Sequence, residues 1–291
     1  FSTSSFQWDQ SHYLDLYYAE FEDKDFILFK KEEPLNKKLN TKYHEGPFAM
    51  NRDQTFMVFT RNNYYQKKVA LSNDGVNKLM LFYNEYKDDK WMAEENFPYN
   101  NDNYSCGHPA LTADGKTMYF VSDMPGSLGG TDIWISRLEN SKWTKPENAG
   151  PVINTEGNEM FPTLIKDSVL YFASNGQGGL GGLDVFAIPF NSGKLGTVKN
   201  IGAPINSSRD DFGIIYDPKT ETGYFSSNRE NKDGGSDDIY FFKVTGYFID
   251  GIVIDEVTKE PISSSTVKVK DSNGKLIEIA TDSEGRFRIK S

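Results

Sequence analysis

Apolar and polar positions alternate or cluster in short runs along this chain, and no stretch keeps the 3.6-residue rhythm of a long helix. Met118-Tyr119-Phe120-Val121 and Ile133-Trp134-Ile135 are representative. Both are aromatic or β-branched and bounded by Asp-Gly or Gly-rich turns, which predicts buried strands. The pattern then repeats. One element is a strand ending in Phe with Ser or Thr close behind: Phe1-Ser2-Thr3, Phe59-Thr60-Arg61, Phe120-Val121-Ser122, Phe172-Ala173-Ser174 and Phe225-Ser226-Ser227. A second is a Gly-rich turn running into Asp-apolar-aromatic, at 127–138, 179–188 and 234–243, with 13–21 as a variant. The third is Pro followed shortly by Asn: Pro34/Asn36, Pro98/Asn100, Pro151/Asn154 and Pro204/Asn206. All three recur at roughly fifty to sixty residues and in one phase, the mark of a repeat architecture.

One repeat, 104–154, predicts four short strands: His108–Leu111, Met118–Val121 after the Asp114-Gly115 hairpin signal, Ile133–Ile135, and a last one around Trp143. Four strands in about fifty residues make a propeller blade, which buries its faces only against neighbouring blades. A β-helix has shorter coils, and a sandwich does not keep such a period. Full repeats start near Tyr43, Tyr104, Asn158 and Asp210, and residues 1–40 carry the later strands of an earlier one. The expectation is an all-β protein with a five-bladed propeller over 1–245, six-bladed if more propeller lies upstream. Upstream residues are expected to supply the fourth strand of the last blade. The repeat from Tyr43 departs from the pattern over Lys67–Tyr86, read as drift in a loop. From 246 to 291 strict alternation takes over, joined by Asn-Gly and Glu-Gly turns, and predicts a truncated β-sandwich.

Composition supports this picture. The chain has 291 residues, 37% hydrophobic and 14% aromatic, enough for a large core. A net charge of −10 repels nucleic acid, so no such partner is expected. No apolar run reaches the ~20 residues of a membrane span. Cys106 is the single cysteine, which excludes an internal disulfide.

The strings TADGKTMYFVSD (112–123) and SLGGTDIWISRL (127–138) resemble the TolB-type, WD-like propeller repeat. Gly251, Val253, Asp255, Thr258, Pro261, Ile262, Thr281, Asp282, Gly285 and Phe287 match the pattern of the carboxypeptidase-regulatory-like, transthyretin-like module. The order of the two is similar to the PorE-like OmpA-family proteins of Bacteroidota. The resemblance implies a periplasmic, outer-membrane-associated scaffold of the type IX secretion and gliding machinery. Implied partners are a PorP/SprF-type barrel or the PorK/PorN ring. Peptidoglycan would be bound through an OmpA-like domain that this chain lacks.

Chemistry is sparse. Asp132, Asp184 and Asp238 recur with the Gly-rich turns and read as ties between turn and strand. A catalytic set would break symmetry. His12, His44 and His108 have no ligand spacing, and neither Asp210-Asp211 nor Asp233–Asp238 fits a calcium loop. Cys106 reads as a small core residue. Tyr64, Tyr65 and Tyr104 are either partner anchors or blade core. No serine-hydrolase elbow is present, and the Gly178–Gly182 run lacks the ending of a phosphate loop. The reading is therefore a scaffold that is not an enzyme, with no catalytic, cofactor or metal residue and no partner-binding residue assigned. The alternatives are a glycan-binding or glycan-cleaving propeller, or a TolB-like propeller holding a disordered peptide in its channel. A carboxylate trio in the channel would mark cleavage; an open, polar, symmetric channel would mark docking.

Overall fold

The computed structural model describes residues 14–23, 28–35, 39–191, 194–229, 237–246, 248–270 and 276–290. Strands and turns account for all regular structure among them. The chain divides into two compact units, one of 1–218 and 223–241, the other of 219–222 and 242–291.

Four antiparallel sheets in chain order make the first unit a propeller. Each is named here by the residue that opens its innermost strand. The Glu45 blade runs Glu45–Met50, Phe56–Asn62, Leu79–Lys87, then Lys90–Trp91 and Glu95–Asn96. The Cys106 blade runs Cys106–Leu111, Thr117–Ser122, Asp132–Glu139, then Lys142–Trp143 and Glu147–Asn148. The Glu159 blade repeats this with Glu159–Ile165, Val169–Ser174, Asp184–Asn191, then Lys194–Leu195 and Lys199–Asn200. In all three, the predicted fourth strand is two short pieces that both pair with the third. The Asp211 blade has Asp211–Asp217, Thr222–Ser227 and Asp238–Lys243. Ahead of them, Tyr17–Tyr18 pairs with Glu33–Pro34. Four blades are thus described where the repeats predict five. Phe1 to Thr3, His12 and Asn36 lie outside the described residues.

Each core lies between consecutive blades, as the repeat logic requires. Phe56, Val58 and Leu81 of one blade pack with Phe120, Trp134 and Trp143 of the next. Ile133 packs with Leu170, Phe172 and Phe186. Leu16 and Leu39 pack with Met57, Phe59, Met80 and Phe82. On the other side of the N-terminal pair, Phe29 lies 6.0 Å from the Tyr224 ring of the Asp211 blade.

The three sequence markers meet in one knot. Phe120 pairs across the sheet with Trp134 and Ser122 with Asp132; Phe172 pairs with Phe186 and Ser174 with Asp184. The residue between Asp and aromatic is held by the marker Asn. Asn154 accepts the Ile133 N–H at 2.8 Å and donates to its carbonyl at 2.9 Å. Asn206 does the same for Val185, and Asn100 for Leu81. Leu16 is held in this way by Asn40, at 2.9 and 3.1 Å. The expected marker Asn36 is therefore replaced by Asn40, because the loop from strand to Asn is longer in this repeat.

The second unit contains two antiparallel pairs, Phe248–Ile252 with Arg286–Lys290 and Thr266–Lys270 with Leu276–Ala280. Its motif residues hold one another. Asp255 Oδ1 accepts the N–H groups of Val257 and Thr258, and Asp282 Oδ1 those of Glu284 and Arg286. Gly285 sits at φ +71°, where an added Cβ would lie 2.7 Å from the Val253 carbonyl oxygen.

Candidate functional site

The innermost strands carry a shared irregularity. Register shifts by one residue between Glu45 and Phe48, Gly107 and Ala110, and Met160 and Thr163. At the bulge, His108 has φ 47° and Phe161 φ 50°, with Gly213 at φ 63° in the matching place. Left-handed backbone is natural for Gly213 and strained for the other two. It turns their rings toward the propeller axis. His108 stacks on Phe161 with centroids 4.1 Å apart and planes 20° apart, and Phe161 stacks on Phe212 at 4.7 Å and 29°. One column of rings thus spans three blades.

This column lines a cavity of about 610 Å³ bounded by the inner strands of the four described blades and by Ser226 and Ile239 of the Asp211 blade's other strands. Pro47, Pro109 and Pro162 contribute ring surface without N–H donors, and Met50, Leu111 and Ile215 add apolar surface. Among the described residues no Asp, Glu, Lys or Arg lines it; the polar side chains are those of His108, Thr163 and Ser226. Burial pushes the His108 imidazole down to about 4, so the ring is neutral at pH 7. Its Nδ1 is enclosed and has no hydrogen-bond partner. The cavity matches neither channel foreseen from the sequence. Among the described residues it holds no carboxylate trio, and it is apolar where docking was expected to go with a polar wall. None of the described wall residues supplies the carboxylate pair that glycoside hydrolysis uses.

The remaining candidates sit in structural roles. Asp132 accepts N–H groups of Leu128 at 2.7 Å and Gly129 at 3.4 Å, and the Asn148 amide at 2.6 Å. Asp184 accepts those of Leu180 and Gly181. Both tie the turn to the strand, as expected. Asp238 opens its strand, and the loop 230–236 before it lies outside the described residues. His44 Nδ1 accepts the Leu14 N–H. Asp210 accepts the Leu183 N–H across the blade joint, and Asp211 pairs with Arg229 at 2.5 Å. Among the described residues no three His, Cys, Asp or Glu gather as a metal site. The Cys106 thiol is pushed up to about 12 by burial. Tyr65 packs on Phe82, Tyr64 on Tyr43, and the Tyr104 hydroxyl donates to the Tyr99 carbonyl.

One repeated device was not foreseen. Thr41 gives its N–H and hydroxyl to Glu45, Thr155 to Glu159, and Ser207 to Asp211. These carboxylates are buried at the start of the inner strands. The signal, a hydroxyl residue four before an acid, is present in the sequence. Cys106 replaces the acid in the remaining blade. Burial raises the Glu45 carboxyl to about 7, against the Thr41 hydrogen bonds that lower it. The channel rings had a weaker signal, an aromatic or His directly before Pro: His108-Pro109 and Phe161-Pro162.

The class defined by this geometry is an all-β propeller with an apolar, ring-lined channel. No family model and no curated protein matches the chain. Among solved structures it is similar to a Mycobacterium tuberculosis puromycin-hydrolysing peptidase, with 13% identity over 86% of this chain, 35% of that one, and a TM-score of 0.45. It is also similar to a putative TolB from Agrobacterium tumefaciens, with 12% identity over 89% and 92% of the two chains and a TM-score of 0.38. An α-L-arabinofuranosidase from Lactobacillus brevis gives 9% identity over 82% and 75%, with a TM-score of 0.42. The chain spans about a third of the length of the peptidases it matches. The expectation that the chain is not an enzyme is corrected by these comparisons: hydrolases stand among the propellers it is similar to, and the fold does not separate it from them.

Proposed function

We propose that the propeller is a protein-docking segment that receives part of a partner in its central channel. The observation that carries this reading is the channel wall: rings and prolines from four blades around about 610 Å³, with no charged side chain among the described residues. A sugar would need more hydrogen-bonding groups than His108, Thr163 and Ser226 supply. An apolar segment of a protein needs fewer of them, because only its backbone N–H and C=O groups call for partners.

The resemblance in the sequence extends the proposal. The setting would be the periplasm, next to an outer-membrane secretion or gliding assembly, with a PorP/SprF-type barrel or the PorK/PorN ring as partner. Peptidoglycan would be reached through a domain beyond this chain. The propeller would have five blades, with the N-terminal pair part of the fifth, since Asn40 holds Leu16 as its counterparts do. The second unit would be a regulatory-like sandwich.

The test is a photo-crosslinking residue placed at Thr163, activated in the native envelope. Crosslinks mapping to one segment of one envelope protein support the reading. Crosslinks that arise only from residues on the outer strands, such as Lys142, overturn it.

A further inference from the structure

We infer that the Glu45 blade carries a second binding site, separate from the channel, for one uncharged pyranose ring of a glycan. The site is a cavity of about 450 Å³ lined by Leu39, Tyr65, Gln66 and the run Trp91–Glu94. That volume suits a small ligand, for which roughly 300–1,000 Å³ is usual. It shares no lining residue with the channel, so either reading can fall without the other.

Broken symmetry marks the same residues independently. In the other three blades the residue two after the marker Phe is a buried serine, Ser122, Ser174 or Ser227; here it is Arg61, 1% exposed. Ser122 and Ser174 pair across the sheet with Asp132 and Asp184, whereas Arg61 pairs with Met80. Its counter-charge comes instead from Glu94, whose two oxygens accept from its terminal nitrogens at 3.1 and 2.6 Å. Glu94 stands where the next two blades have Pro146 and Val198. Those blades reach their third strand through Gly-rich turns. The Glu45 blade has a hairpin there, Tyr64–Tyr65 with Lys68–Val69, whose turn holds Gln66 at φ 49°. A repeat kept elsewhere for the fold is thus altered at Arg61, Tyr65, Gln66 and Glu94, and these meet at one cavity or directly behind it.

The groups gathered there select the ligand. Tyr65 and Trp91 give aromatic surface for the C–H face of a sugar ring. The Tyr65 hydroxyl, the Gln66 amide and the Trp91 indole N–H make no hydrogen bond to any described residue, which leaves donors and acceptors for ring hydroxyls. The forked pairing with Arg61 fixes the Glu94 carboxylate, which is 23% exposed and keeps lone pairs for a further hydroxyl. Charge decides against other classes. A cation would compete with Arg61 for Glu94, and an anion would face that carboxylate. A wholly apolar ligand would strip water from these polar groups and replace none of its bonds.

The probes are the neutral hexasaccharides cellohexaose, maltohexaose and chitohexaose, titrated by calorimetry into the whole chain. Hexalysine and hexaglutamate are the charged controls. Gln66→Gly removes the amide from a backbone that glycine suits, at φ 49°, and Trp91→Leu removes the larger aromatic surface. The expected result is that at least one neutral probe binds with a Kd of about 1 mM or tighter, and both charged probes bind more weakly. That binding weakens about three- to tenfold in Gln66→Gly, with the Tm moved by only a few degrees. It weakens on the order of tenfold or more in Trp91→Leu. Thr163→Ala, in the channel wall, leaves it unchanged. Binding of none of the three sugars, tighter binding of a charged probe, unchanged affinity in Gln66→Gly, or a loss in Thr163→Ala each overturns the inference.

Discussion

Asn154 holds Ile133 at both polar groups of one residue, its side-chain oxygen taking the N–H and its amide giving to the carbonyl. Both residues are almost fully buried, and while the Ile133 carbonyl also accepts the Ala149 N–H at 3.0 Å, its N–H is held by Asn154. Asn154→Ala leaves the buried Ile133 N–H without its partner, while the carbonyl keeps the Ala149 N–H. The expected cost is about 1–3 kcal/mol, read as a lower urea midpoint with an unchanged slope.

Gly129 packs on the Thr155–Glu156 backbone of the following blade so closely that an added Cβ would run into it. Gly75, at φ +80°, has nothing within 4 Å of that position. Gly75→Ala is expected to cost about 1 kcal/mol from its backbone alone. Gly129→Ala costs more, because the blade joint must open. Thermal melts of the two variants against the parent chain provide the check.

Arg61 is 1% exposed and pairs with Glu94, 23% exposed, at 2.6 Å. Its guanidinium also lies over the Phe82 ring at 4.3 Å. Removing the acid alone leaves a buried cation, so Glu94→Gln is expected to lose about 3 kcal/mol. The double variant Arg61→Met/Glu94→Gln is expected to recover part of that loss. Denaturant titration of both variants shows whether the order is right.

Two titrations oppose each other across mildly acidic pH. The Glu45 carboxyl is raised from 4.5 to about 7, so the folded state binds its proton more tightly than the unfolded chain does. Its contribution to stability is fully present below pH 4.5 and lost as the pH rises to 7. His108 is lowered from 6.5 to about 4, so its contribution is present above pH 6.5 and lost as the pH falls to 4. Each spans at most about 3 kcal/mol. Glu45→Gln is expected to be more stable than the parent at pH 8, with a curve that falls only toward acid. Urea midpoints from pH 4 to 8 display both limbs, and a parent that steadily loses stability from pH 8 down to 6.5 would contradict the Glu45 assignment.

Much of the propeller is legible in the sequence because its repeat is written three times. Phe120, Asp132 and Asn154 look like separate signals, yet they are cross-strand pair, turn tie and clamp around one stretch of strand. Asn40 was harder to see, since its distance from Leu16 is longer than that from Asn154 to Ile133. The buried acids Glu45, Glu159 and Asp211 had a readable spacing behind Thr41, Thr155 and Ser207, masked by Cys106 in the one blade that breaks it. The channel was not legible. Which side chains face the axis depends on a bulge at His108 and Phe161, and neither residue type announces positive φ as glycine does. Alternation alone would assign those positions wrongly, because one extra residue turns the following side chains to the other face.

The apolar character of the described channel wall also decides how its water behaves. Solvent beside proline and phenylalanine rings finds few hydrogen-bond partners, so it is held less firmly than in bulk. Filling the cavity returns those molecules to better company. Binding would then be carried by this exchange and not by new polar contacts, with a negative heat-capacity change and, near 25 °C, a favourable enthalpy. Affinity at this site would be tuned by the dryness of the fit, leaving ionic strength with little influence over it.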